Sequence, residues 1–324
     1  MISRREVLIG GAAAGAAALA GRAADVFAKA AQPTTAVNFA VPPGACDCHT
    51  HIFGDPARFP LAQERRYTPE IAPVDEVRAL HRALGTNRVV IVQPSVYAAD
   101  NACTLDALRQ LGSSARGVAV IDDRTSESAL DEMGRLGVRG IRLNLETGGV
   151  VDPAAALQRF QRAVERMRPR RWHIQLYTRP TVIQGIHDAV MNAGLPVVFD
   201  HYGGAQGTLG VQQPGFAALV DLVRAGKAYV KISAPYLLST EGPDYPDMEP
   251  LGKALLAANP ERLLWATNWP HPDATQVPGR KTTDLAPLLQ IDDGRLLNRF
   301  AVLVPDASRR KTILVENPAR LYGF

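Results

Sequence analysis

Two stretches of the sequence carry side chains suited to hydrogen-bond or proton-transfer chemistry on a small molecule. His49 and His51 are separated by one residue, and Asn268 and His271 follow the apolar run 263–266. Alternate residues of a strand point to the same face, so His49 and His51 can converge on one metal ion or one substrate oxygen. Asn268 donates and accepts hydrogen bonds, but unlike an aspartate it cannot take up a proton at neutral pH.

The elements that must position these residues form a series of alternating strands and helices from residue 44 onward. Apolar runs predict eight strands, at residues 45–49, 88–93, 117–121, 138–143, 173–177, 196–200, 228–233 and 263–267. Helical patterns follow them at residues 74–84, 101–111, 126–136, 153–168, 180–192, 214–225, 246–258 and 306–315. This order predicts the α/β class and a single (β/α)8 TIM barrel. No G-x-G-x-x-G motif follows the first strand, which argues against a doubly wound dinucleotide-binding sheet.

In such a barrel the carboxyl ends of all strands meet at one rim, which is where active sites form. Further polar residues fall at these ends: Gln93, Ser95, Arg142, Asn144, Tyr177, Asp200, His201, Lys231 and Ser233. Four of the seven histidines reach the rim, namely His49, His51, His201 and His271. His81, His173 and His187 lie on helices or at a strand start, so we expect solvated or core roles for them.

The charged residues near the rim indicate an anionic substrate. Arg142 and the loop pair Arg65-Arg66 offer guanidinium groups, which bind carboxylates through two parallel hydrogen bonds. Tyr67 and Tyr177 add neutral hydroxyls, and Ser95 adds a third.

We expect no cofactor at this rim. A divalent metal such as zinc would take His49, His51 and His201 as ligands. However, Arg142 and the neutral Asn268 stand where anionic ligands would be needed, and we expect no carboxylate beside Arg142 to balance the added charge.

Composition narrows the classes of partner. Lys and Arg number 36 against 32 Asp and Glu, a net charge of +4 without a basic run, so we expect no nucleic-acid binding. The three cysteines form no four-ligand zinc set. The sequence leaves the oligomeric state open, a homo-oligomer included.

The first thirty residues have the pattern of an export signal. Arg4 and Arg5 precede the apolar, small-residue run 8–20, and Ala28 offers a cleavage point. This pattern predicts a twin-arginine signal over residues 1–30 and a periplasmic mature protein. The run is too short for a comfortable membrane span, so we expect no stable membrane anchor. Residues 31–43 read as an extended lead-in and residues 44–324 as the barrel domain.

Several segments together resemble a known family. They are residues 47–54, 58–69, 90–93, 100–101, 140–142, 200–201, 267–272 and 316–322. The chain resembles the amidohydrolase-related metal-dependent hydrolases, and within them the 2-pyrone-4,6-dicarboxylate lactonase-like branch. The resemblance implies a TIM barrel in which histidines polarise a lactone carbonyl without a required metal. It assigns that catalytic role to His49, His51 and His201.

The same resemblance assigns the remaining site residues to the substrate or to the nucleophile. Ser95, Arg142 and Tyr177 are expected to bind substrate, and we add Arg66, Tyr67 and His271 to this set. At the end of strand eight the branch carries a water-activating aspartate, where this chain has Asn268. Asn268 is therefore expected to position the nucleophile, with a neighbouring histidine as base.

Two departures from the branch limit the choice of substrate and reaction. Residues 144–149 and 234–237 lack the arginines of the dicarboxylate-binding members, so the pyrone dicarboxylate is not the expected substrate. The Thr-Asn-Trp-Pro-His form at residues 267–271 is similar to that of galactarolactone isomerases. Our leading hypothesis is a hydrolase that opens a small carboxylated lactone. The alternatives are a lactone isomerase and a non-catalytic binding protein for organic acids.

Overall fold

The computed structural model describes residues 30–274 and 278–324. The predicted export signal over residues 1–30 falls almost entirely outside these ranges. Eight parallel strands form one sheet: β1 (Cys46–Thr50), β2 (Arg88–Val92), β3 (Ala115–Ala119), β4 (Val138–Asn144), β5 (His173–Tyr177), β6 (Val197–Phe199), β7 (Ala228–Ile232) and β8 (Leu263–Trp265). Their order in the sheet is their order in the chain. A parallel bridge between Thr50 and Trp269 joins the two edges. The predicted (β/α)8 barrel is confirmed.

The helices lie between and after these strands. They are α1 (Val74–Leu84), α2 (Ala102–Leu111), α3 (Glu127–Arg135), α4 (Pro153–Met167), α5 (Pro180–Gly185), α6 (His187–Met191), α7 (Phe216–Arg224), α8 (Glu249–Ala258), α9 (Asp293–Leu303), α10 (Ala307–Lys311) and α11 (Asn317–Tyr322). Local sequence sets many ends: the Ser126 and Asp152 side chains cap α3 and α4, and Gly85 ends α1 with a φ of 75°.

Three helical regions differ from the sequence prediction. The predicted helix 306–315 is an α-helix only over α10 and continues as a π-helix at Thr312–Glu316, which leads into the unpredicted α11. The predicted helix 180–192 is broken at Ile186 into α5 and α6. Helix α9 was not predicted, and it begins after Asp292, whose side chain accepts hydrogen bonds from the amides of Gly294 and Arg295. A short parallel pair, Thr68–Pro69 with Leu285–Ala286, was also not predicted. These additions matter because α9 brings Asp293 to the site described below.

The barrel is held by apolar residues on both sides of the strands. The larger cluster lies between strands and helices and includes Leu80, Ile174 and Phe216. A second cluster contains Cys46, Cys48, Val198 and Tyr229, among others. Val198 and Tyr229 each stand two residues before a polar site residue on the same strand face, so this second cluster forms the floor beneath the site.

The lead-in packs on the barrel without forming a helix or strand. The indole N–H of Trp269 donates to the Ala31 carbonyl at 2.9 Å, and Thr34 and Thr35 bond to the Asp292 carboxylate. Within residues 30–274 and 278–324, no helix has the length and apolar character needed to cross a membrane.

Candidate active site

A β-bulge in β1 determines how the two neighbouring histidines enter the barrel. The pairing of β1 with β2 shifts register between Asp47 and Thr50, so one extra residue is accommodated in β1. Cys48 therefore packs in the floor cluster while His49, its neighbour, also reaches inward to Lys231. Bulges of this kind re-aim side chains beside active sites. His49 and His51 remain on one face, as predicted, with ring centroids 4.9 Å apart.

Asp200, immediately after β6, is the centre of the polar network. One carboxylate oxygen lies 3.1 Å from both His49 Nδ1 and Lys231 Nζ. The other accepts hydrogen bonds from Arg142 Nε at 2.9 Å and from the Gln175 amide at 3.1 Å. Burial alone would raise the pKa of this carboxyl, but the positive charges of Lys231 and Arg142 outweigh burial and hold the pKa well below its usual range. Asp200 is therefore a buried anion.

This carboxylate contradicts one of our expectations. We expected no carboxylate near Arg142, whereas Asp200 forms a buried ion pair with it. The pair leaves only part of the guanidinium for other work: no hydrogen bond within the described part of the chain reaches either Nη of Arg142. The Arg142 guanidinium also lies over the Tyr177 ring, 5.1 Å from its centroid.

Lys231 lies fully buried on β7 with an acceptor for each ammonium hydrogen. Its Nζ is 2.8 Å from the side-chain oxygen Oε1 of Gln175, and 3.1 Å from both Asp200 Oδ1 and His49 Nδ1. Burial lowers the pKa of Lys231, and Asp200 opposes that shift. A charged Lys231 would donate to Nδ1 of His49, which leaves the hydrogen of that imidazole on Nε2.

The three histidines at the rim are held as neutral imidazoles. Burial lowers the pKa of His51 and of His201 to about 3, and burial together with Lys231 lowers the pKa of His49 well below its usual value. His51 Nδ1 lies 2.8 Å from the Val92 carbonyl, so Nδ1 carries the hydrogen and Nε2 is an acceptor. The acceptor faces His49 Nε2 at 3.3 Å. At neutral pH these rings act as hydrogen-bond donors and acceptors.

His201 completes this group from the other side. Its ring centroid is 4.8 Å from that of His49, and its Nδ1 is 2.8 Å from the Ser233 hydroxyl. The backbone of His201 has a φ of 47°, an uncommon conformation for a residue with a side chain. The surrounding contacts hold that conformation, which turns the ring toward His49.

A group of hydroxyls borders Arg142. Tyr67 is buried, and its pKa is raised to about 12 by burial, against the opposing effects of the Ser95 hydroxyl and Arg142. Tyr177 stacks edge to face on His201 at 5.4 Å. Ser95, Tyr67, Arg142 and Tyr177 thus border one region, as predicted.

Arg66 precedes Tyr67 in the chain. Its side chain is exposed and stands against Gly149, in the turn that follows β4.

Asn268 is held next to the histidine pair by its backbone. Its amide N–H donates to the His49 carbonyl at 2.9 Å, and the following residue accepts from the His51 amide at 2.8 Å. Its φ of 66° is a left-handed value that asparagine tolerates better than most residues. The side-chain nitrogen lies 2.8 Å from the Tyr236 hydroxyl, while the side-chain oxygen is buried without a hydrogen-bond partner among the described residues.

His271 does not take the place expected for it. It is fully buried, and both ring nitrogens have protein partners: Tyr236 at 3.0 Å from Nδ1 and Asp293 at 2.9 Å from Nε2. Neither nitrogen is available to a substrate, so the expected substrate contact of His271 is wrong for this structure. His271 instead connects Asp293 to Tyr236.

Sequence reasoning left Gln175, Tyr236 and Asp293 out of the site, and named Asp200, Lys231 and Ser233 at the rim without giving them roles. Gln175 and Lys231 had a visible feature, since each is a long polar residue inside a strand with apolar neighbours and is fully buried. Tyr236 and Asp293 had none, because both lie beyond the ends of predicted strands.

The sequence and the fold are both similar to those of known proteins. The family model described as "Amidohydrolase" matches residues 46–324, nearly the whole barrel. The chain belongs to the amidohydrolase family. A 4-sulfomuconolactone hydrolase of Rhizobium radiobacter is 34% identical over 89% of this chain and 92% of its own length. A 2-pyrone-4,6-dicarboxylate hydrolase of Comamonas testosteroni is 33% identical over 92% of this chain and 95% of its own length. The crystal structure of an Agrobacterium tumefaciens protein superposes with a TM-score of 0.74, at 26% identity over 89% of this chain and 99% of that one. This amidohydrolase is therefore similar along its whole barrel to lactone-opening hydrolases.

Proposed function

We propose that this amidohydrolase is a hydrolase that opens the ring of a small carboxylated lactone by attack of water at the ring carbonyl. The observation that carries the proposal is the Asp200 network, which gathers neutral imidazoles beside Arg142. Two relatives with full-length similarity are named as lactone hydrolases.

The substrate carboxylate binds on the Arg142 side of the site. Asp200 occupies Nε of Arg142 and leaves its two Nη groups for a ligand. A guanidinium edge of this kind binds a carboxylate with charge-assisted hydrogen bonds. Tyr67, Ser95 and Tyr177 border the same region and supply hydroxyls for the ring substituents. Arg66, which precedes Tyr67 in the sequence and has an exposed side chain, serves an additional anionic group of the substrate.

His49 and His201 polarise the ring carbonyl. With Lys231 donating to His49 Nδ1 and Ser233 to His201 Nδ1, both rings present Nε2–H to the substrate oxygen. The contact between His49 and His51 is long at 3.3 Å, so the His49 hydrogen is readily shared with a carbonyl oxygen. The buried Lys231 charge stabilises the developing oxyanion through His49.

His51 acts as the base and Asn268 positions the water. The Val92 carbonyl fixes the His51 tautomer with Nε2 as acceptor. The water oxygen bonds to the carbonyl carbon while its proton passes to His51 Nε2. Negative charge that develops on the carbonyl oxygen raises the pKa of His51 during attack above its low value in the resting site. The ring C–O bond then breaks, and His51 returns the proton to the departing ring oxygen.

The residues do not fit a divalent metal ion, and no step here uses one. His49 Nε2 and His51 Nε2 have a separation of 3.3 Å that would suit two ligands of one zinc ion. However, the Asp200 carboxylate beside His49 already accepts from Lys231, Arg142 and Gln175. Adding a dication beside Lys231 and Arg142 would leave the buried charge uncompensated.

Isomerisation is the second candidate, and the neutral Asn268 favours it. A hydroxyl of the substrate can replace water as the nucleophile, in which case Asn268 orients that hydroxyl and no water needs to be activated. The remaining residues keep the same roles.

A panel of carboxylated lactones followed by acid release tests the proposal, since hydrolysis releases a titratable acid and isomerisation does not. His201→Ala removes an oxyanion donor and should lower turnover by about two to three decades. His187→Ala is the control, because His187 pairs with Asp188 and Asp221 on helices outside the site. Turnover like that of the wild type in His201→Ala would contradict the assignment.

We also propose that the protein is exported to the periplasm by the twin-arginine route. The support is the sequence pattern around Arg4 and Arg5. Cell fractionation of the wild type and of Arg4→Lys/Arg5→Lys tests this, with retention of the variant in the cytoplasm expected.

A further inference from the structure

A buried chain of four side chains runs from α9 to the end of β8. Asp293, in the first turn of α9, lies 2.9 Å from His271 Nε2, and His271 Nδ1 lies 3.0 Å from the Tyr236 hydroxyl. The same hydroxyl lies 2.8 Å from the Asn268 side-chain nitrogen. Asp293 and His271 are 1% and 0% exposed, so solvent does not compete for these bonds.

The hydrogen bonds in this chain have one consistent direction when Asp293 is ionised. A carboxylate only accepts, so His271 donates from Nε2 and its Nδ1 has a lone pair. Tyr236 then donates to His271 Nδ1, and its oxygen accepts from the Asn268 amide nitrogen. The same logic, a carboxylate fixing a histidine tautomer, operates in catalytic triads.

The last side chain of the four is Asn268, whose amide nitrogen donates hydrogen bonds and whose amide oxygen accepts them. With the nitrogen bound to Tyr236, the oxygen is left as a buried acceptor, and it has no partner within residues 30–274 and 278–324. Backbone bonds hold Asn268 against His49, and hold the next residue against His51. An unpartnered buried acceptor is costly unless a ligand or water satisfies it.

We propose that Tyr236, His271 and Asp293 are positioning residues that fix the orientation of the Asn268 amide, so that its oxygen receives a hydrogen bond from the nucleophile. This inference rests on the proposed function for the identity of the nucleophile. With water as the nucleophile, an amide held in this way accepts one O–H hydrogen, which leaves the second hydrogen aligned for His51 and a lone pair aligned for the carbonyl carbon. In the reverse orientation the amide would donate to the nucleophile and compete with its attack on the carbonyl.

A double-mutant cycle separates orientation of the amide from a general structural effect. Tyr236→Phe should lower kcat roughly tenfold to a hundredfold with little change in KM, because a misplaced nucleophile affects the chemical step. In an Asn268→Asp background the loss should be within roughly threefold, since the two oxygens of a carboxylate are equivalent and need no orienting. Equal losses in both backgrounds would overturn the proposal. Tyr245→Phe is the matched control, because Tyr245 is close to Tyr236 but is not one of the four hydrogen-bonded side chains.

The tautomer of His271 gives a second test that needs neither activity nor a folded variant of Tyr236. Nitrogen NMR of the histidine-labelled wild type, with His271 assigned by loss of its signals in His271→Gln, should show a hydrogen on Nε2 and a lone pair on Nδ1. The opposite tautomer would mean that Asp293 donates and that the amide is reversed, which overturns the proposal. If the protein releases no acid from any lactone but His271 has the expected tautomer, the proposed hydrolysis is refuted and the proposed orientation of Asn268 stands.

Discussion

Arg142 and Asp200 form a buried ion pair in which Nε lies 2.9 Å from the carboxylate oxygen. The pair links the two halves of the site, because Lys231 donates both to the other oxygen of the same carboxylate and to His49 Nδ1. The position of the histidines and the direction of the free guanidinium edge thus depend on one side chain.

Replacement of Asp200 by asparagine should therefore be strongly destabilising. The change leaves Lys231 and Arg142 buried without their anion, and we expect a loss of about 3–5 kcal/mol in the free energy of unfolding. Urea denaturation measures this loss. Asp106→Asn is the control: its partner Arg58 is 64% exposed, so that pair should contribute less than about 1 kcal/mol. Similar losses for the two variants would show that Asp200 does not organise the site.

Replacement of Arg142 by lysine should weaken binding of carboxylated substrates selectively. Lysine keeps a positive charge beside Asp200 but cannot offer the two Nη groups. We expect KM for a carboxylated lactone to rise about tenfold to a hundredfold, the equivalent of one charge-assisted hydrogen bond. KM for the methyl ester of the same lactone should change little. An equal rise for acid and ester would place the substrate carboxylate elsewhere.

Acid should destabilise the protein well above the pH at which carboxylates titrate. The pKa values of His51, His173 and His201 are lowered to about 3, mainly by burial. Between that value and the ordinary pKa of about 6.5, the unfolded chain binds protons that the folded chain does not. Stability is thus complete above about pH 6.5 and falls on acidification by about 1.4 kcal/mol per pH unit for each such histidine. Urea midpoints at pH 7, 6 and 5 measure the slope.

His173 offers a way to check that slope. It is 1% exposed at the start of β5, and neither ring nitrogen has a hydrogen-bond partner in the described ranges. His173→Leu should reduce the slope of unfolding free energy against pH by the contribution of one histidine, about 1.4 kcal/mol per pH unit, and should leave turnover unchanged. A slope identical to that of the wild type would mean that His173 is not a neutral buried imidazole.

Metal removal should leave turnover unchanged. Dialysis against a strong chelator tests this, with elemental analysis before and after. Loss of activity that zinc restores would show that the charge argument from Asp200, Lys231 and Arg142 is wrong. Loss that zinc does not restore would indicate damage to the fold, which circular dichroism would detect.

The sequence was sufficient to predict the barrel because its strands and helices have clear local patterns. Helix α1 has the predicted bounds, and all eight barrel strands lie within a few residues of their predicted positions. His49, His51 and His201 come together as predicted, since strand ends in a closed barrel share a rim. The positions of the apolar runs were therefore enough to predict that these three histidines share one rim.

What the sequence could not predict depends on contacts between distant segments. The bulge in β1 changes the facing of its residues in a way that strict alternation cannot represent. His271 was expected to contact substrate at the rim, but the prediction did not include α9, which brings Asp293 against its ring. The central role of Asp200 required knowing that Lys231, Arg142 and His49 surround it.

Isotope labelling tests the central claim most directly. A carboxylated lactone turned over in water enriched in oxygen-18 should yield an open acid that carries one heavy oxygen in its new carboxylate, because water attacks the ring carbonyl. Appearance of the label in the hydroxyl, or a product of unchanged mass without acid release, would contradict the account.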